Sequence, residues 1–150
     1  MTVSIKKNSM TAWVACGLIY IFSSAVASAN PACTHVERAS TAMEKGVERC
    51  AAKLHGQAFI DCVANEMSKY STRLGQKGAE IVAPLGAPTA ADAAAGVKSS
   101  PTPAAAASVL NRVASVVAGL STTGSKDTRY AYNRINQAFS RAATVLASKI

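Results

Sequence analysis

Apolar residues recur at helical spacing over four stretches of the chain, and almost nowhere does the pattern alternate as a strand would. The first stretch opens at Thr34-His35-Val36-Glu37. There a threonine hydroxyl and a glutamate carboxylate have the spacing of a capping box, which would satisfy two backbone N–H groups of a first helical turn. Val36, Met43, Val47, Cys50 and Leu54 then form one seam, with Ser40 in its only polar gap. Glu37, Arg38, Glu44, Lys45, Glu48, Arg49 and Lys53 fall mainly on the other side, as a solvated face does. After Gly56 a second seam runs through Ile60, Val63, Met67, Tyr70 and Leu74. Ile81 and Val82 stay roughly on phase beyond Gly75 and Gly78, until Pro84 and Pro88 stop the pattern.

Residues 83–102 are alanine, proline and glycine with little large apolar content, a composition that predicts a linker. Within it, Thr89 and Asp92 have the spacing to cap one short turn. Thr102 followed by Pro103 marks a helix start, because proline lacks the N–H that would go unpaired in that position. The third predicted helix carries Ala106, Leu110, Val113, Val117 and Leu120 on its seam. Val109, Ala114 and Val116 widen that seam, so this helix is expected to be the most buried. A polar turn over 121–126 leads to a fourth helix with Tyr132, Ile135, Phe139, Ala142 and Leu146 inward. The pattern predicts an all-α bundle of about four helices. Two antiparallel hairpins, over 30–82 and 103–150, are joined by the 83–102 linker into one compact domain.

The amino-terminal 29 residues change the picture. Lys6 and Lys7, an apolar run from Ala12 to Phe22, and Ala27-Ser28-Ala29 have the order of a cleaved secretory signal peptide, which predicts an exported, periplasmic or secreted protein. The run is too short for a permanent span, since a bilayer core takes roughly 20 residues. Cleavage after Ala29 removes two lysines and leaves 14 Lys+Arg against 8 Asp+Glu, a net charge of +6. That surplus favours an anionic partner.

Export gives the cysteines an oxidising environment. On one unbroken helix Cys50 and Cys62 would lie about 18 Å apart, far beyond a disulfide's reach. A reversal at His55-Gly56-Gln57 pairs residues whose numbers sum to about 112, and Cys50 and Cys62 are such a pair. A structural disulfide between them is therefore expected. Cys33 sits at the far end of the first helix from Cys50, about 25 Å away by helical rise. It is left as an unpaired thiol or one free for an intermolecular bond.

The same residues exclude several chemistries. Cys50, His55 and Cys62, with Cys33 or His35, lack the paired ligand spacing of a metal site. No nucleophile, base and orienting acid can be named together, so neither an enzyme nor a cofactor is expected. The most suggestive surface is on the fourth helix, where Tyr130, Arg134, Gln137 and Arg141 form one stripe away from the Ile135 and Phe139 seam. Arg and Tyr are the side chains that bind well when desolvated. The expected function is a protein-binding module, accessory or inhibitory, engaging an envelope or extracellular protein through that stripe. The alternatives are a carrier of an apolar small molecule in the bundle core, or adhesion to an anionic envelope polymer or nucleic acid.

Overall fold

The computed structural model describes residues 31–76, 83–122 and 124–149. The segments read as a leader, 1–29, and as a continuation of the second helix through Ile81 and Val82 lie outside them. The described residues form five helices: α1 (Pro31–Lys53), α2 (Gly56–Leu74), α3 (Ala83–Lys98), α4 (Pro103–Leu120) and α5 (Lys126–Ala147). Each packs on its neighbours in the chain, and α5 returns to α1, so the helices form a closed ring with α2 also reaching α4 across the interior.

The all-helical reading holds, while the count of four is corrected by α3, which occupies most of the expected linker. Composition misled here because alanine is both poor in burial area and the best helix former. Ala90, Ala93 and Val97 are fully buried and Ala94 nearly so. Their small side chains let α3 lie close along α2, where Ser71 Oγ donates to the Ala87 carbonyl at 2.7 Å. Pro88 removes one backbone donor near the start of α3 without ending it. Thr89, expected as a cap, sits inside the helix and donates its hydroxyl to the Leu85 carbonyl at 2.6 Å. On the other side of α3, a Cβ added to Gly96 would stand 2.7 Å from Val109 Cγ1, so α3 and α4 approach too closely for one more methyl group. Small residues thus bring the α3 and α4 backbones together at this point.

The first corner follows the sequence pattern. α1 ends at Lys53, and Gly56 takes a left-handed φ of +57°, a conformation that costs glycine almost nothing. The chain reverses there, and Cys50 and Cys62 are joined by a disulfide with their Cα atoms 5.8 Å apart. Cys33 corrects the expectation of a free thiol: it is disulfide-bonded, and no described cysteine is free.

The core takes Val36, Met43 and Val47 from α1, Phe59, Ile60, Val63, Met67, Tyr70 and Leu74 from α2, and Ile135, Phe139 and Leu146 from α5. Tyr70 and Phe139 meet edge to face with ring centres 5.7 Å apart. The Tyr70 hydroxyl shares a 2.6 Å hydrogen bond with Ser40, the polar gap in the α1 seam, so neither buried hydroxyl is orphaned. α4 starts as expected, with Thr102 accepting from the Ala105 N–H at 3.1 Å and Pro103 in the first turn. It is not the most buried helix, however. Val109, Val113 and Leu120 are half-buried and Val116 is 62% exposed, because a ring of five gives each helix two flanks and an open back. By length and composition alone α4 could cross a membrane; in the bundle its inner side packs on α3 and α5.

Capping differs at α1. The helix begins at Pro31, which places Thr34 inside it and frees Glu37 for a different partner.

Candidate functional site

α1 and α5 meet along a polar seam. Glu37 and Glu44 lie on one side of α1, seven residues and hence two turns apart, and both reach Arg134 at the middle of α5. Arg134 Nε donates to both Glu37 oxygens at 2.9 and 3.0 Å. Its Nη1 and Nη2 each donate to Glu44 at 2.9 Å, and Nη2 also reaches Thr41 Oγ1 at 3.3 Å. Thr41 in turn donates to Glu37 Oε2. Burial alone would weaken the guanidinium's hold on its proton. The hydrogen bonds Arg134 donates to Glu44 and Glu37, with the charge of both carboxylates, outweigh it and leave the Arg134 pKa above its ordinary value.

Arg134 is thus only 6% exposed and fully engaged inside the protein. The expectation that it anchors a partner is corrected, because the two carboxylates read as a solvated face turn inward onto it. The stripe is otherwise divided. Arg141 remains largely exposed while its Nη1 donates to Glu44 at 3.2 Å. Gln137 is exposed and Tyr130 half-buried. The structure does not gather these four residues into one open surface.

A different cluster does converge. Arg38, Lys45 and Arg49 recur at seven and four residues, which places them on the outward face of α1. With Arg73 from the last turn of α2, and with Glu37, Thr41 and Ala42, they line a groove of about 450 Å³. The antiparallel return of α2 explains the meeting: the corner at Gly56 sets the end of α2 beside the start of α1. His35 completes that join by donating from Nε2 to the Arg73 carbonyl at 2.7 Å. Glu37 is the groove's only carboxylate, and both its oxygens accept from Arg134. Four cations therefore face one carboxylate that is already neutralised. The helical spacing of Arg38, Lys45 and Arg49 is visible in the sequence. Arg73 is not, since it joins them only through the reversal.

A second groove, of about 420 Å³, runs between α2 and α3 over Ala91, Ala94 and Ala95, with Asp61 and Lys98 at one end. Among the described residues no group of three His, Cys, Asp or Glu side chains is placed to hold a metal ion. No known protein family matches the chain, and neither a curated protein nor a solved structure matches it.

Proposed function

We propose that this protein is an exported helical binding module, without catalysis of its own, that attaches to an anionic partner of the periplasm or extracellular space through the outward face of α1. One observation carries the reading: Arg38, Lys45, Arg49 and Arg73 share one groove whose single carboxylate is already engaged by Arg134. Positive charge concentrated on one face raises the local concentration of an anionic partner and steers its approach. An acidic envelope or extracellular protein and an anionic envelope polymer both meet that description. The surviving open part of the α5 stripe, Gln137 and Arg141, adds polar contacts near Glu44.

Retention of the oxidised protein on an immobilised sulfated polysaccharide, at low and high salt, tests the reading. Wild type is expected to bind with a steep loss as salt rises, because counterions are released from the polymer. Lys45→Glu combined with Arg49→Glu reverses two exposed charges and is expected to weaken binding by about tenfold or more with helicity unchanged. Binding that ignores salt, or that survives the double reversal, would overturn the proposal.

A further inference from the structure

Arg73 differs from its three companions in the groove. Its carbonyl is held by His35, which fixes the last turn of α2 against α1. Its Nη1 is buried and has no hydrogen-bond partner. A guanidinium presents five N–H donors in a rigid plane, and buried donors are ordinarily paired with acceptors. The carboxylate that lines the same groove, Glu37, is held by two oxygens on Arg134 and by the Thr41 hydroxyl. Arg134 therefore does more than tie α5 to α1: it engages the carboxylate that lines the groove. Arg38 and Lys45 reach the same space from α1, and Arg49 stands one turn beyond Lys45.

We propose that this groove is a seat for a phosphate dianion, free or as a monoester, with Arg73 as its inner cation and Arg38, Lys45 and Arg49 as the outer ones. The inference rests on the anionic-partner reading and names the group that partner presents. Phosphate suits the site better than a carboxylate on two counts. Its tetrahedral oxygens can accept from the planar fork and from a second cation at once, whereas a carboxylate offers two oxygens in one plane. Its double charge also answers a cluster of four cations more fully than a single one does. A groove of about 450 Å³ exceeds what a bare ion fills and falls within the range of small-ligand sites. The organic part of a monoester has room beside Thr41 and Ala42.

Calorimetric titration of the oxidised full chain with phenyl phosphate, inorganic phosphate and benzoate at one ionic strength tests this. Phenyl phosphate is expected to bind about tenfold more tightly than benzoate. A monoester preferred over inorganic phosphate assigns the seat to an esterified ligand, and equal binding assigns it to the free ion. Arg73→Gln is expected to remove about tenfold of the phosphate affinity, and Arg112→Gln, an equal charge loss on α4, to leave it within about twofold. Because Arg73 is partly buried, Arg49→Gln at an exposed position serves as the second variant, with a loss of about threefold or more. Equal affinity for phenyl phosphate and benzoate, or equal effects of the groove variants and Arg112→Gln, would sink the phosphate seat. Salt-dependent retention on the polysaccharide would then still stand or fall by the Lys45→Glu and Arg49→Glu pair, so the two failures are separable.

Discussion

Arg134 shows how one residue's role changes when its surroundings are known. It is buried between two carboxylates, one nearly buried and the other a third exposed. Removing the cation leaves Glu37 with the Thr41 hydroxyl alone and Glu44 with the solvent-open Arg141 alone. Arg134→Met is expected to cost about 2 to 4 kcal/mol in urea denaturation, since breaking a buried ion network leaves uncompensated charge. Arg141→Ala, at a pair open to solvent on the arginine side, is expected to cost under about 1 kcal/mol. Tyr70 sets a limit on the alkaline side. Burial pushes its phenol pKa well above the ordinary value, with the Ser40 hydrogen bond opposing only in part. The unfolded chain releases that proton near pH 10, while the folded chain still holds it. Rising pH therefore favours unfolding. The contribution is intact below about pH 10 and drains away above it. Tyr70→Phe is expected to start about 1 kcal/mol less stable, through the orphaned Ser40 hydroxyl, and to decline less steeply with alkali. Denaturant midpoints measured across that range check both parts. Burial also raises the Tyr132 phenol, so the variant keeps part of the slope.

At the level of elements, two glycines in similar sequence settings predict opposite outcomes. Gly56 has a φ of +57° at the α1–α2 corner, so Gly56→Ala is expected to destabilise by about 1 kcal/mol even though its Cβ meets nothing. Gly119 sits inside α4 with open space around it and no positive φ. Gly119→Ala is expected to stabilise by about 0.5 kcal/mol, because alanine loses less freedom in a helix. Thermal or urea unfolding of the pair reads the difference directly. The corner itself was legible, since a glycine midway between two cysteines left a reversal as the only way to join them. The disulfide it permits closes a short loop and contributes about 2 to 3 kcal/mol. The seams of α1, α2 and α5 were legible for the same reason: large apolar residues at helical spacing leave little choice of face. α3 was not, because helices packed through alanine and glycine carry no large residue to mark the buried side. Arg134 was misplaced for a related reason. A lone arginine with polar neighbours looks solvated until a second helix presents its carboxylates, and that pairing spans nearly the length of the chain. Arg73 entered the groove by the same kind of tertiary meeting, and helical spacing revealed only its three companions on α1.

For the whole molecule, the decisive property is that five helices alternate in direction, so the first and last must run the same way. The contacts agree: Glu37 meets Arg134, Glu44 meets Arg141, and Lys149 near the carboxyl end reaches the Ala51 carbonyl at 2.8 Å while lying over the Phe59 ring. Parallel neighbours have like helix-dipole ends together, a mild repulsion. The Arg134 network, with its two carboxylates, supplies the attraction across that seam, and the +8 chain as a whole has few other acids to offer. The phosphate groove lies next to this seam because both depend on Glu37.

An odd number of alternating rods also sends the two ends of the bundle to opposite poles, separated by the length of α5, about 33 Å at 1.5 Å per residue. Cargo fused behind the carboxyl terminus would project from the pole that carries the Cys50–Cys62 disulfide, while Pro31 stands at the other. Joining Pro31 to the end of α5, so as to cut the bundle elsewhere, would need a tether of at least about ten extended residues. An even-numbered bundle would have needed only a short turn.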